Sequence, residues 1–278
     1  IQCGVDNSRF FCDPETLPMI SIITPTYNTD PNILARTWAS LKAQTFTDWE
    51  WVIWDDSTNE NTWAQVYGFC SDERYKISMH RSHVHSGNIG DVKRNAFMVS
   101  KGNILVELDH DDELTPDCLQ EIHDAFSHNE DIGFIYSDWC EILPDGQSGV
   151  YPDGWAFGFG DKYWSEEYGV WVMDAPEINE ITMSHIVSAP NHVRAWRSSV
   201  YHSLNGHSPD YPVADDYELI VRTFLETRIG KISQLLYKQH IGPGTAQRQR
   251  NELIQQLVAS ISLEYRDRIH ERCIELEL

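Results

Sequence analysis

Seven consecutive residues, Glu107-Leu108-Asp109-His110-Asp111-Asp112-Glu113, hold the densest chemistry in the chain. They follow Ile104-Leu105-Val106, an apolar run that reads as a buried strand. The carboxylates of Asp109, Asp111 and Asp112 at the end of such a strand repel one another and call for a cation or a proton. Mg²⁺ or Mn²⁺ prefers oxygen ligands and keeps positions open for phosphate oxygens, so the cluster points to a nucleoside diphosphate. The competing reading is a solvated acidic turn leading into a helix. Thr115-Pro116-Asp117 has the form of an N-cap followed by proline at the first helical position, where acidity favours the helix start.

The elements that must position this turn alternate along the first half. Met19 to Thr24 reads as a buried strand stopping at Pro25-Thr26-Tyr27-Asn28. Asp30 caps a helix with Pro31 at its first position, and Leu34, Trp38 and Leu41 recur at helical spacing. Glu50 to Trp54 is a second strand, ending in Asp55-Asp56-Ser57. A helix is expected over residues 62–70, a third strand over Tyr75 to His80, and a helix from Asp91 to Ser100 with Gly102 as its C-cap. This order predicts a mainly parallel sheet with right-handed crossovers, binding its ligand beyond the carboxyl ends of the strands, where three polar motifs converge. No GxGxxG or GxxxxGK[ST] is present, so neither a dinucleotide fold nor a P-loop is supported. Beyond a helix over Leu119 to Phe126, residues 144–170 are rich in Gly, Pro, Trp, Tyr and Asp and read as loops suited to an acceptor. Strand-like pieces return at Ile186 to Ala189, a helix covers Asp216 to Glu226, and Ile254, Leu257, Val258, Ile261 and Tyr265 keep helical spacing in a tail from Gln247 that packs on the domain or on a partner chain.

Composition narrows the function classes. Of 278 residues, 41% are hydrophobic and 12% aromatic, with ten Trp, which describes a globular chain able to bury a sizeable core. Lys and Arg total 21 against 43 Asp and Glu, and the formal charge of −22 argues against nucleic acid or an anionic membrane as partner. No apolar run approaches the ~20 residues needed to span a bilayer, and no signal-peptide pattern opens the chain, so a cytoplasmic protein is expected. Ile1 stands where Met would open a complete chain, which leaves a fragment of a longer product open. The six cysteines are scattered without a CxxC pair and read as free thiols. His80, His83 and His85 invite zinc but lack a matching Cys or His pair.

The ordered motifs resemble the family 2 inverting glycosyltransferases of the GT-A fold. "ISIITPTYN" at 20–28 is similar to the first strand and nucleotide loop, and "SLKAQTFTDWEWVIWDDST" at 40–58 to the second strand and its base-binding aspartates. "VELDHDDELTPDCL" at 106–119 resembles the DxD region, and "VADDYELIVRT" at 213–223 the acidic segment bearing the catalytic base. The resemblance covers roughly 18–242, split into a nucleotide-sugar half at 18–126 and a loop-rich acceptor half at 127–242. Residues 1–17 form an N-terminal extension and 243–278 a C-terminal helical one.

The resemblance implies roles. Pro25, Thr26 and Tyr27 would contact base and ribose, and Asp56 the base edge. Lys93 and Arg94 would lie beside the nucleotide, with Asp109 and His110 in the same site. Asp109, Asp111 and Asp112 would share the metal, Mn²⁺ or Mg²⁺, with His240 approaching it. His110 stands where ordinary DxD loops carry a small residue. Asp216, six residues before Arg222, would be the base, with Asp215 its rival; the same pair would also suit a helix start through Leu219. Trp139, Trp155 and Trp164 would form an acceptor platform or cover a loop, and His192 would face the acceptor cleft or be a satisfied polar residue. The implied donor is a nucleotide sugar, UDP by default, the acceptor a glycan hydroxyl, and a homodimer stays open. A catalytically silent sugar- or nucleotide-binding module and a nucleotidyltransferase are the competing readings; the latter lacks an early Gly-rich, Arg/Lys-bearing phosphate loop.

Overall fold

The computed structural model describes residues 19–60, 63, 64, 68, 75–242 and 250–278. The helix expected at 62–70 falls largely outside these residues, as do Cys3, Cys12 and Cys70. Strands β1 (Ile20–Thr26), β2 (Trp49–Asp55), β3 (Lys76–Arg81) and β4 (Ile104–Glu107) alternate with helices α1 (Pro31–Lys42) and α2 (Ile89–Val99). After β4 come β5 (Glu113–Leu114), α3 (Cys118–His128), β6 (Ile132–Ile142), β7 (Asp161–Ser165), β8 (Val170–Asp174) and α4 (Glu180–Met183). The remainder is β9 (Arg194–Arg197), α5 (Ser198–Ser203), α6 (Asp215–Glu226), β10 (Arg228–His240) and α7 (Asn251–Leu276).

The strands lie in the order β3-β2-β1-β4-β9-β6-β10-β5, with β8 on β6 and β7 on β8. Pairing is parallel from β3 through β4. At β9 it turns antiparallel to both β4 and β6. The parallel order expected from the sequence therefore holds from β1 to β4, and the second half is mixed. In β1 and β2 nearly every residue is buried, which is why they read as continuous apolar runs rather than alternating ones.

Helix α1 starts as its sequence requires. Asp30 accepts from the Asn32 amide, and Pro31 occupies the first turn. Trp38 stacks on Trp51 of β2 with ring centroids 5.2 Å apart. Helix α2 begins on Asn88 and ends at Ser100, so Gly102 is not its C-cap. A Cβ on Gly102 would come within 2.5 Å of the Ser21 amide nitrogen. The glycine is there because the chain passes hard against β1, and its amide donates to Ser21 Oγ at 2.7 Å.

Three other expectations change in the second half. Thr115 does not start the next helix; α3 begins at Cys118, with no side-chain cap from Asp117. Part of the region expected to be loops is the β7–β8 hairpin, paired from Asp161–Asp174 to Ser165–Val170. Ile186 to Ala189 forms turns, and the strand lies further on at Arg194–Arg197. The tail helix α7 buries Val258, Ile261, Tyr265, Ile269 and Cys273 and packs on α6 of its own chain. Cys118, Cys140 and Cys273 are buried free thiols.

Candidate active site

The carboxyl ends of β1, β2 and β4 meet as the alternation requires. Pro25 and Thr26 close β1, and Thr26 Oγ1 donates to Asp55 Oδ1 at 2.9 Å. Tyr27 follows, 49% exposed, its ring stacked on His85 with centroids 4.7 Å apart. An exposed tyrosine face at this edge suits a nucleobase. Asp56 is buried and already engaged. It accepts from the Ser86 amide at 3.0 Å and from His85 Nδ1 at 2.7 Å, closing the 85–87 loop over the end of β2. It therefore positions that loop beside Tyr27. Nor do the neighbouring histidines converge on a metal: His80 stacks on Trp54.

The acidic turn divides into two kinds of carboxylate. Asp109 and Asp111 are each 33% exposed at their side chains. Asp112 is buried, accepting from Tyr237 Oη at 2.8 Å and the His240 amide at 2.7 Å. Burial, helped by the charges of Asp111 and Asp109, pushes its carboxyl well above the usual range. His240 turns its ring to Glu113, with Nε2 2.6 Å from Oε1. Of the four residues expected at a metal, Asp109 and Asp111 keep part-exposed carboxylates, while Asp112 and His240 are engaged within the protein. His110 is partly exposed, and its Nδ1 is buried without a hydrogen-bond partner.

Helix α1 splints this turn from behind. Thr37 Oγ1 lies 2.9 Å from the His110 carbonyl and 2.8 Å from that of Asp112, and Arg36 donates to the Asp111 carbonyl. Sequence reading missed both residues, because nothing local links a mid-helix threonine to a turn over seventy positions away.

Among the described residues no three His, Cys, Asp or Glu side chains converge to hold an ion unaided. Two part-exposed carboxylates in one turn are hard oxygen donors, however. They fit Mg²⁺ or Mn²⁺, ions that take one or two carboxylates and complete their shell with phosphate and water.

Opposite this turn, α6 opens with Asp215, Asp216 and Glu218 in its first turn, where acidic side chains favour the helix dipole. Asp216 is 25% exposed at its side chain, against 4% for Asp215. Burial would raise the Asp216 carboxyl, but the charges of Arg194 and Lys93 outweigh it and hold the group below its ordinary value. Asp215 goes the other way: burial pushes it up to about 7. Of the two, Asp216 is the more accessible and the more readily ionised.

Beneath both aspartates lies a buried set of charges that the sequence did not reveal. Glu107 accepts from Lys93 Nζ at 2.5 Å and lies 3.6 Å from Arg194 Nη1. Burial opposes the Glu107 charge, but Lys93 and Arg194 prevail and keep it ionised. His207, fully buried, is held neutral by desolvation, its pKa lowered to about 3. Lys93, expected at the nucleotide, is spent here, and Arg94 reaches Asn205 Oδ1 at 3.1 Å instead.

The raised pKa of Asp215 has a sign that can be measured. The folded state keeps a proton that the unfolded chain releases above about pH 4, so this group lowers stability as pH rises from about 4 to about 7. Asp215→Asn should flatten that slope. Urea midpoints of both proteins at pH 5 and pH 8 check it, the difference between the proteins isolating Asp215; equal slopes would refute it.

The residues expected at an acceptor site also depart from expectation. Trp139 and Trp155 are buried, 3% and 7% exposed, and meet edge-to-face at 5.6 Å with Tyr151 against both. They are core aromatics, not a platform; Trp164 is exposed. His192 is buried, stacked on Tyr237 at 4.2 Å, with Nε2 3.6 Å from Asp109 Oδ2. It backs the acidic turn, and burial lowers its pKa to about 4, so it is neutral.

The fold is that of the GT-A glycosyltransferases. S. aureus TarS 1-349 in complex with UDP-GlcNAc superposes with a TM-score of 0.65 at 18% identity, over 87% of this chain and 66% of that one. The mannosyltransferase PcManGT from Pyrobaculum calidifontis, in complex with GDP-Man and Mn²⁺, gives 0.64 at 15% identity, over 95% and 72%. Residues 21–150 match the sequence profile of glycosyl transferase family 2. Among curated relatives, the chondroitin synthase of Pasteurella multocida (strain Pm70) is 23% identical over 222 residues, 79% of this chain and 20% of that protein. The chain spans less than a quarter of the length of the first curated relatives it matches.

Proposed function

We propose that this glycosyltransferase moves a sugar from a nucleoside-diphosphate sugar, UDP-linked in the first instance, to a hydroxyl of a glycan acceptor in one inverting displacement assisted by Mn²⁺ or Mg²⁺. The observation that carries the reading is the pairing of two part-exposed carboxylates, Asp109 and Asp111, with a part-exposed, ionised Asp216 on a separate element. The UDP-GlcNAc bound by TarS supports the donor class, the GDP-Man and Mn²⁺ of PcManGT support a metal while leaving the base open, and the chondroitin synthase supports a glycan product.

The residues divide the work. Tyr27 offers its exposed face to the base, and the loop closed by Asp56 borders it. Asp109 and Asp111 would hold the metal, which when bound supplies positive charge for the departing diphosphate. Asp216 takes the proton of the attacking acceptor hydroxyl, and its ionised state leaves it ready to do so. Attack and departure on opposite faces invert the anomeric centre without a covalent sugar–enzyme intermediate.

A panel of UDP-, GDP- and dTDP-sugars, assayed for nucleoside diphosphate release with Mn²⁺ or with chelator, tests the proposal. One donor should be turned over in metal only, and Asp111→Asn should reduce release by about 10- to 100-fold or more. Release indifferent to chelator would remove the metal from the proposal. Donor binding without release, across varied acceptors, would leave a silent binding module.

A further inference from the structure

Arg194 lies where the two sides of the site are joined. It sits on β9, in register with Glu107 of β4 and Tyr136 of β6. Its side chain is 7% exposed, and its guanidinium spans two carboxylates: Nη2 is 2.9 Å from Asp216 Oδ2, and Nη1 is 3.6 Å from Glu107 Oε1. Its Nε is buried without a hydrogen-bond partner. Such a group is a poor device for stability alone, since a buried ion pair is often matched or bettered by apolar residues of similar volume. Its contacts point to a different use. Asp216 Oδ1 accepts from the Tyr217 amide at 2.8 Å and Oδ2 is held by Arg194, so both oxygens are fixed while each keeps a lone pair for an incoming proton.

The groups around Asp216 come from every neighbouring element. They are Arg194 from β9, Lys93 from α2, Glu107 from β4, Asp215 from its own helix and His207 from the loop before it. Lys93 is already matched by Glu107. His207 is neutral, and Asp215, with its raised pKa, is at most partly charged. Arg194 alone among them makes a direct ion pair with Asp216.

We infer that Arg194 is the positioning residue of the base: it fixes the Asp216 carboxylate and ties it, through Glu107, to the strand that runs into Asp109 and Asp111. The distance between proton acceptor and donor diphosphate is thereby set by one rigid side chain. A planar fork can bridge two carboxylates in this way; a lysine ammonium reaches one of them. This inference rests on Asp216 being the base.

The test is the pH profile of kcat/KM for Arg194→Met and Arg194→Lys, with UDP affinity by calorimetry and each substitution repeated in Asp216→Asn. Loss of the guanidinium should move the acid limb of Arg194→Met upward by about one unit or more, as expected for removal of an adjacent opposite charge. Turnover should fall about 100-fold, the scale of a 1 Å misplacement, while UDP affinity stays within about twofold. Arg194→Lys should recover part of both changes. In Asp216→Asn, Arg194→Met should add almost nothing further. An unmoved acid limb, or effects that multiply in the double variant, would overturn the inference while leaving the base intact. If Arg194→Met does not fold, Arg194→Lys decides alone: a raised acid limb supports the inference, and a wild-type profile overturns it. Wild-type turnover in Asp216→Asn would instead overturn the base assignment, and the inference with it.

Discussion

Asp216→Asn should lower turnover by roughly 10²- to 10⁴-fold, the usual contribution of a positioned general base. The substitution keeps the side chain's shape and its contact with Arg194 but removes the lone-pair basicity that accepts the acceptor proton. Donor affinity should stay close to wild type, because Asp216 faces the acceptor side of the reaction in this reading. The fold should survive as well, since the side chain is a quarter exposed and Arg194 keeps the Glu107 charge nearby. Single-turnover assays at saturating donor, alongside UDP titrations, separate the two effects. A fall in donor affinity matching the fall in rate would place Asp216 in donor binding and return the base role to Asp215.

The second large effect is on stability. Glu107 is fully buried, and its carboxylate is the counter-charge to Lys93 at 2.5 Å and a second one to Arg194 at 3.6 Å. Glu107→Gln changes neither volume nor shape appreciably, yet leaves Lys93 a buried cation without its partner. Removing one member of a buried pair costs about 3–5 kcal/mol, so a large fall in urea midpoint or melting temperature is expected. Lys93→Met together with Glu107→Gln should recover much of that loss, because the uncompensated charge is gone. Were Glu107→Gln as stable as wild type, the buried network would be carrying no net electrostatic weight. Denaturant unfolding of the single and double variants measures this as a coupling energy.

The first half was legible because its signals are local. Strands β1, β2 and β4 are short apolar runs closed by polar residues, and α1 carries its own cap in Asp30 and Pro31. The acidic turn and the paired aspartates of α6 stand out by residue type alone. The second half was harder. The strand β9 reads Arg-Ala-Trp-Arg, a pattern no buried strand is expected to show, because its first arginine is matched by carboxylates from β4 and α6. Hence the sequence suggested a strand at Ile186 to Ala189, where the chain makes turns. Likewise, tryptophan serves a core or a sugar-binding face equally well, and only the packing of Trp139 and Trp155 on Tyr151 decides for the core.

What the sequence determined by itself was the order of strands and helices in the first half and the places where acidic residues gather, since both follow from periodicity and residue type. Which carboxylate does what was decided only by the tertiary structure. Asp112 and Asp109 are three positions apart, yet one is consumed by Tyr237 and the other is part-exposed. Asp215 and Asp216 are adjacent, yet burial pushes the first up to about 7 while the charge of Arg194 holds the second below its ordinary value. The protonation and reach of a carboxyl group depend on the water, charge and hydrogen bonds within a few ångströms, and in this chain the charges of Lys93 and Arg194 and the hydroxyl of Tyr237 arrive from three other elements.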